Sequence, residues 1–179
     1  MQRPAILETV RERSELWDIV VIGGGATGAG SALDAASRGL SVLLLEQDDF
    51  GKGTSSRSTK LIHGGVRYIR HGNISLVREA LKERSLLLKN APHVVHTQAF
   101  VIPCYGLWQR FFYGVGMKLY DLLAGKHRIG KSRRLSRSET AEHLPSIKAR
   151  GLVGGVLYHD GQFDDTRLLI DILRTAVSH

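Results

Sequence analysis

The sequence has 179 residues, enough for one domain with a hydrophobic core, and 42% of them are hydrophobic. Lys and Arg outnumber Asp and Glu by 25 to 17, and the formal net charge of +8 favours an anionic partner such as a phosphate ligand, a nucleic acid or a lipid headgroup. The single cysteine, Cys104, excludes a multi-cysteine metal site, and we predict no metal; the apolar runs are too short to span a bilayer, and residues 1–16 do not resemble a signal peptide.

The first predicted elements are a strand, a helix and a second strand. Residues 18–22 are mostly β-branched and apolar, which predicts a strand buried on both faces of a parallel sheet. Small residues from 26 to about 38 predict a helix that stops at Gly39, and residues 41–46 predict a second buried strand. This βαβ unit predicts an α/β, doubly wound fold.

The remaining elements follow less regularly. Residues 48–68 are rich in Gly, Ser and Thr and predict a long functional loop. Asn73 is predicted to cap a helix to about residue 90, Gly125 to end a helix over 107–124, and Ser136 with Glu139 to open a short helix through a capping box. We predict strands over 98–103 and 151–159, and a last helix from Asp164 or Asp165.

The glycine turn after the first strand has the spacing of a dinucleotide-binding site, G-x-G-x-x-G. Gly23 lets the strand turn, Gly25 admits a pyrophosphate against the backbone, and Gly28 permits close helix–strand packing. The helix N-terminus, with Ala26 and Thr27, presents amides that stabilise phosphate. A plain turn is the alternative, which the flanking strand and helix make less favourable.

Glu46 ends the second strand about 20 residues after the glycine turn, where a carboxylate binds the adenosine ribose hydroxyls. A solvated acid at a strand end is the alternative. We assign Glu46 and its neighbour Gln47 to the cofactor site. A carboxylate here disfavours a 2′-phosphate and therefore NADP.

The loop over residues 53–68 reads GTSSRSTKLIHGGVRY, and it follows the glycine turn and the Glu-Gln-Asp-Asp-Phe strand end. In this order and spacing the sequence resembles the FAD-dependent glycerol-3-phosphate dehydrogenases. The resemblance continues through residues 77–84, 91–93 and 120–121 to Leu168. That family is considerably longer, and the last helix here has no closing strand, so we expect a truncated chain.

The resemblance implies an FAD-binding Rossmann-like domain followed by the beginning of an inserted α+β substrate domain. Residues 1–16 would be an extension, 17–92 the first part of the FAD domain, 93–162 the start of the substrate-binding region, and 163–179 a helix returning to the FAD domain.

The resemblance also implies site residues in the loop. Near the FAD pyrophosphate and ribityl chain it places Thr54, Ser55, Ser56, Ser58 and Lys60. Near the isoalloxazine ring it places His63, Gly64 and Gly65, and Leu61 is a further cofactor-binding residue. Arg67 and Tyr68 would reach the substrate phosphate or the flavin edge, because a guanidinium binds phosphate bidentately. His63 and Arg67 are the catalytic candidates, although the sequence does not identify the base. An isolated histidine in a glycine-flanked loop is more often a hydrogen-bonded structural group.

The implied reaction is oxidation of sn-glycerol 3-phosphate to dihydroxyacetone phosphate, with electrons passed to a quinone or other acceptor. Aromatic and basic residues over 107–134 predict either a membrane-surface helix or a core-facing helix with a solvated basic loop. We expect a cytoplasmic protein, peripheral on the cytoplasmic face of the inner membrane, with a homo-oligomer left open.

Other functions fit the sequence less well. A nicotinamide dehydrogenase leaves the loop over 54–68 unexplained, and another FAD-dependent amine or amino-acid oxidoreductase does not require the KLIHGGxRY run. A nucleic-acid-binding module lacks any known motif, and we expect no nucleic-acid partner. An inactive truncated fragment stays open. Asp164, Asp165 and Arg167 resemble a carboxylate pair with a counter-ion, but helix capping explains them better.

Overall fold

The computed structural model describes residues 3–65 and 73–179, and they form two compact units. The first unit comprises the chain up to Lys60 together with Asp164–His179, and the second comprises Leu61–Phe163. The division differs from the predicted boundary at residue 92, because the helix before it packs within the second unit.

The described residues contain six α-helices and six β-strands. The helices are α1 (Arg3–Glu12), α2 (Ala26–Ser37), α3 (Ile74–Asn90), α4 (Leu107–Ala124), α5 (Arg137–His143) and α6 (Asp165–Ser178). The strands are β1 (Ile19–Ile22), β2 (Val42–Leu45), β3 (Leu61–Ile62), β4 (Val95–Cys104), β5 (Arg133–Leu135) and β6 (Gly154–Phe163). Short 3₁₀ turns occupy Thr54–Ser56 and Gly125–His127.

The first unit contains the predicted βαβ arrangement. Strands β1 and β2 pair in parallel, from Ile19 opposite Val42 to Ile22 opposite Leu45, and α2 connects them. Helix α2 buries a face of small side chains, and Ala29 forms an apolar cluster with Leu169 and Leu173 of α6. Small residues allow the two helices to approach closely. The α/β fold prediction is therefore confirmed in its first strand–helix–strand unit.

The prediction that β1 and β2 are buried on both faces is wrong for these residues. Val20 is 51% exposed and Ile22 is 86% exposed. Val21 points to the other side, where a side chain at Gly28 of α2 would lie 3.4 Å from it. Helix α2 covers that side, and the described residues of the first unit leave alternate side chains of β1 exposed on the other.

Strand β6 organises the second unit. It pairs antiparallel with β4 over ten residues, and with β3 and β5 at different points along its length. Strand β4 is longer than the predicted strand over 98–103, and β6 begins and ends later than the predicted strand over 151–159. The long pairing between the two strands sets their ends. Strand β3 falls within the predicted loop, so that part of the loop prediction is wrong. Helices α3 and α4 pack together through Val77, Leu81, Tyr120 and Ala124.

Local capping signals predict several helix ends correctly. The Ser136 hydroxyl accepts from the Glu139 amide at 3.2 Å, and the Glu139 carboxylate accepts from the Ser136 amide at 2.7 Å. Helix α4 has the predicted bounds, and Gly125 after it has a left-handed φ of +49°. Asn73 does precede α3, but its side chain makes no capping hydrogen bond. The capping box involves two residues three positions apart, so the sequence alone predicts it correctly.

Gly28 tests how closely α2 packs on the turn before it. A Cβ added at Gly28 would overlap the Gly23 carbonyl oxygen and lie 3.1 Å from its carbonyl carbon. Because both groups are backbone, the Gly28→Ala variant should lose about 1–3 kcal/mol of unfolding free energy in urea titration. Gly30→Ala in the same helix is the control, since its added methyl meets nothing within 4 Å and should raise stability by up to about 1 kcal/mol. An equal loss in both variants would contradict this packing.

Candidate functional site

The glycine turn brings the start of α2 to the ends of β1 and β2. Gly23 has a φ of +110°, a backbone conformation that residues other than glycine rarely adopt. Its amide donates to the Leu45 carbonyl at 2.8 Å. Gly28 packs against the Gly23 carbonyl so closely that a side chain at position 28 would overlap it, so this position accepts only glycine. The tasks predicted for Gly23 and Gly28 match this geometry.

A loop hydroxyl lies at the first amide of α2. Gly25 occupies the N-cap position and, having no side chain, makes no capping bond. The Ala26 amide instead donates to the Ser55 hydroxyl at 2.8 Å. Because helix N-termini present unpaired amides and a positive partial charge, they stabilise phosphate. The structure thus brings together Gly25, Ala26 and Ser55, three of the residues predicted to bind the cofactor.

Glu46 lies beside the same turn. Its Oε2 accepts from the Gly24 amide at 2.7 Å, and its Oε1 accepts from the Asp48 amide at 3.1 Å. These hydrogen bonds, the one from Gly24 first, lower the pKa of Glu46 below its usual range. The carboxylate is therefore ionised at neutral pH and acts only as an acceptor, the role that ribose hydroxyls require. Gln47 next to it is exposed.

Asp165 organises the loop that precedes β3. Its carboxylate accepts from the Ser58 amide at 3.1 Å, from the Ser58 hydroxyl at 2.7 Å and from the Lys60 ammonium. Lys60 has a φ of +60°, a left-handed conformation, and its ammonium also donates to the Ser56 carbonyl at 2.9 Å. The side chains of Ser58 and Lys60, both predicted cofactor residues, are thus bound to Asp165.

The sequence does not distinguish the roles of the two adjacent aspartates. Asp164 is the N-cap of α6 and accepts from the Arg167 amide at 2.9 Å, as the capping explanation predicts. Asp165 is only 4% exposed, and its bonds to the loop span more than 100 residues. Burial raises the pKa of Asp165, but the hydrogen bonds from Lys60 and Ser58 outweigh it and hold the pKa well below its usual range.

In the second unit, His63 precedes two buried glycines. The Gly65 amide donates to His63 Nδ1 at 3.1 Å, and Gly65 has a φ of +66°. An Nδ1 that accepts places the proton of the neutral ring on Nε2, so the exposed His63 ring presents a donor there. In this arrangement Nε2 cannot accept a proton from a substrate hydroxyl until it loses its own.

Gly64 is held by a network that the sequence alone does not indicate. Its amide donates to the Tyr120 hydroxyl at 2.8 Å, and that hydroxyl lies 3.1 Å from Asp160 Oδ2. Arg84 Nη1 donates to Asp160 Oδ1 at 2.6 Å. All three side chains fall in runs that carry the family resemblance, which is the signal that could have pointed to them.

Most of the remaining predicted site residues lie in the loop, in α2 and at the start of β3. Thr54 and Ser56 lie with Ser55 in the 3₁₀ turn, Thr27 lies in the first turn of α2, and Leu61 begins β3. Arg67 and Tyr68, predicted for the substrate, lie outside the described residues.

Comparison with known proteins assigns the family. The family described as FAD dependent oxidoreductase matches residues 18–179. The chain belongs to this family of FAD-dependent oxidoreductases, which confirms the predicted cofactor class. The glycine turn, Glu46 and the hydroxyl-rich loop are thus features of an FAD-dependent oxidoreductase.

The relatives and solved structures narrow the resemblance. A mitochondrial glycerol-3-phosphate dehydrogenase of Macaca fascicularis is 50% identical over 99% of this chain and 25% of its own length. The crystal structure of glycerol-3-phosphate dehydrogenase from Bacillus halodurans, complexed with FAD, is 34% identical with a TM-score of 0.68 and covers 98% of this chain and 27% of that one. The FAD-bound L-α-glycerophosphate oxidase of Mycoplasma pneumoniae has a TM-score of 0.67 over 92% of this chain and 43% of its own, but at 17% identity it shows the fold alone.

These comparisons confirm the resemblance to glycerol-3-phosphate dehydrogenases and the FAD-binding fold. The chain spans about a quarter of the length of the curated relatives it matches. Within residues 3–65 and 73–179, no helix is both long and apolar enough to cross a membrane.

Because the pKa of Asp165 is lowered in the folded protein, we expect the free energy of unfolding to fall at acid pH. The folded pKa of Asp165 is lowered from an unfolded value of about 3.9, so the stabilising effect of the carboxylate is present above about pH 4 and is lost as the pH falls. The unfolding free energy of the wild type should therefore fall more steeply from pH 5 towards pH 2 than that of Asp165→Asn. Asp164→Asn is the matched control, since asparagine also caps helices, and it should keep the wild-type pH dependence. Parallel profiles for the wild type and Asp165→Asn would refute this role.

Proposed function

We propose that the protein oxidises sn-glycerol 3-phosphate to dihydroxyacetone phosphate with FAD and passes the electrons to a quinone or another acceptor. The observation that carries the proposal is the contact between the Ser55 hydroxyl and the Ala26 amide at the start of α2. It joins the glycine turn to the loop whose sequence resembles the glycerol-3-phosphate dehydrogenases. The 50% identity to a relative of that name and the 34% identity to an FAD complex support the same activity.

The residues of the first unit fit the dinucleotide end of FAD. The glycine turn has no side chains that would fill the approach to the start of α2, where the helix amides would bind the pyrophosphate. Glu46 would accept from ribose hydroxyls while its other lone pairs accept from Gly24 and Asp48. Thr54, Ser55 and Ser56 would supply further hydroxyls. Ser58 and Lys60, through Asp165, would fix the shape of this loop, in addition to any direct contact with the cofactor.

The second unit would act on the substrate side. FAD, when bound, supplies a hydride acceptor for the C2–H of the substrate. His63 would present its Nε2–H as a donor, which suits an oxygen on substrate or cofactor. Arg67 and Tyr68 would reach the substrate phosphate or the flavin edge, because the Arg67 guanidinium can pair with phosphate bidentately.

The visible absorption spectrum tests this function most directly. The purified FAD-loaded protein should be yellow and should bleach when sn-glycerol 3-phosphate is added without oxygen. Glycerol, which lacks the phosphate, and glycine or L-proline should leave the colour unchanged. A colourless protein would overturn the cofactor proposal, and bleaching by an amino acid but not by glycerol 3-phosphate would make the protein an amino-acid oxidoreductase.

We also propose that α4 binds the surface of an anionic membrane. One face of the helix contributes Met117 and Tyr120 to the core, while apolar side chains elsewhere on it are exposed in the described structure: Leu107 and Trp108 at 74%, Phe111 at 52% and Leu122 at 75%. Basic residues follow the helix at Lys126, Arg128, Lys131, Arg133 and Arg134. Aromatic side chains favour the headgroup region and cations bind anionic lipid, which supports a peripheral position on the inner membrane, with its cytoplasmic face as the proposed side.

Co-sedimentation with vesicles tests the membrane proposal. The wild-type protein should pellet with vesicles that contain phosphatidylglycerol and should be released at high salt, since part of the attraction is electrostatic. Trp108→Ser should weaken this binding. Val177→Ser, which also removes an exposed apolar side chain but from α6, should bind like the wild type. Absence of wild-type binding at low salt, or equal loss in both variants, would count against α4 as the membrane surface.

A further inference from the structure

An ion pair is buried in the second unit. Arg84 of α3 is 1% exposed and Asp160 of β6 is 3% exposed, and their side chains meet at 2.6 Å. Removing two charges from water carries a large desolvation penalty, so such a pair contributes little to stability compared with apolar side chains of similar size. Arg84 Nε, moreover, is buried without a hydrogen-bond partner among the described residues. The pair is therefore poorly explained as a stabilising feature alone.

The direction of the hydrogen bonds connects this ion pair to Gly64. The Asp160 carboxylate, which is ion-paired with Arg84, accepts, so the Tyr120 hydroxyl donates its proton to it, at 3.1 Å from Oδ2. The lone pairs of that hydroxyl then accept from the Gly64 amide at 2.8 Å and from Arg84 Nη1 at 3.3 Å. Burial raises the pKa of Tyr120, and the nearby Asp160 charge raises it further, so the phenol keeps its proton.

The backbone at Gly64 has little freedom to move. A Cβ at this position would lie 2.5 Å from both the Tyr120 hydroxyl and Leu81 Cδ2. The next amide, that of Gly65, donates to His63 Nδ1 and so fixes the ring through its own backbone. The position of Tyr120 therefore sets the position of Gly64, and through it the His63 ring.

We infer that Tyr120, supported by Arg84 and Asp160, is a positioning residue for the redox reaction, because it fixes the backbone of the His63–Gly65 segment. The inference rests on the proposed function, which places this segment beside the isoalloxazine ring. Tyr120 touches neither substrate nor cofactor in this scheme. It acts through the Gly64 amide, and the ion pair behind it fixes the direction of its hydroxyl.

The variant Tyr120→Phe tests the inference, because it removes one oxygen atom and keeps the ring. Amide hydrogen exchange should show the Gly64 amide exchanging about tenfold faster, as expected for the loss of one ordinary hydrogen bond. In rapid mixing of the FAD-loaded protein with sn-glycerol 3-phosphate, the limiting rate of flavin reduction should fall about ten- to a hundredfold, since small displacements near reacting groups have effects of this size. The substrate concentration at half-maximal rate should stay within about twofold, because the variant keeps the groups that bind the substrate before the reaction.

Tyr158→Phe is the matched control. Tyr158 lies on the same strand as Asp160, and its ring stacks on Phe100 at 5.4 Å between centroids. Removing its hydroxyl leaves every contact of Gly64 in place, so both measurements should match the wild type. An equal change in both variants would show a general loss of packing and would overturn the positioning role.

The two measurements separate the possible failures. Faster Gly64 exchange with unchanged flavin reduction would leave Tyr120 a structural residue and would overturn the inference, as would unchanged exchange. A wild-type protein without flavin would remove the proposed function and the redox role together, while the exchange data would still show whether Tyr120 holds Gly64. If Tyr120→Phe does not fold, Asp160→Asn should produce the same two changes. The asparagine side chain can donate as well as accept, so it no longer fixes the direction of the Tyr120 hydroxyl. Unchanged exchange and reduction in Asp160→Asn would overturn the inference.

Discussion

Glycine-rich segments keep a defined shape only when their backbone N–H groups find acceptors, because buried unpaired amides are costly and glycine supplies no side chain of its own. In this chain several of the acceptors are side chains from distant positions. Glu46 accepts from Gly24, Ser55 from Ala26, Asp165 from Ser58, and Tyr120 from Gly64. Each side chain thereby ties a flexible backbone to a helix, a strand end or a neighbouring loop.

The distance along the chain between interacting residues explains which features the sequence predicts. The bounds of α4, the capping box at Ser136 and the βαβ unit all depend on residues within a few positions of one another, so their patterns are visible directly. Ser58 and Asp165 are 107 positions apart, and Gly64 and Tyr120 are 56 apart. Composition and periodicity cannot pair such residues, because the pairing depends on how the elements pack.

The two aspartates at the start of α6 show this limit at neighbouring positions. Asp164 and Asp165 are alike in type and location, and both fit a helix cap by sequence. Only the direction of each side chain separates a local cap from a carboxylate that binds Ser58 and Lys60. Similarly, β1 has the composition of a strand buried on both faces, yet Ile22 is 86% exposed, because burial depends on what packs against the strand.

A fold alone does not specify a substrate. A glycerophosphate oxidase only 17% identical shares the fold at a TM-score of 0.67, so this fold tolerates wide changes of sequence. The fold therefore identifies a cofactor class and leaves the substrate open. Discrimination has to come from the groups that face the reacting atoms. In this chain the described part of the loop, residues 54–65, is bound from distant positions by Asp165 in its first half and by Tyr120 in its second.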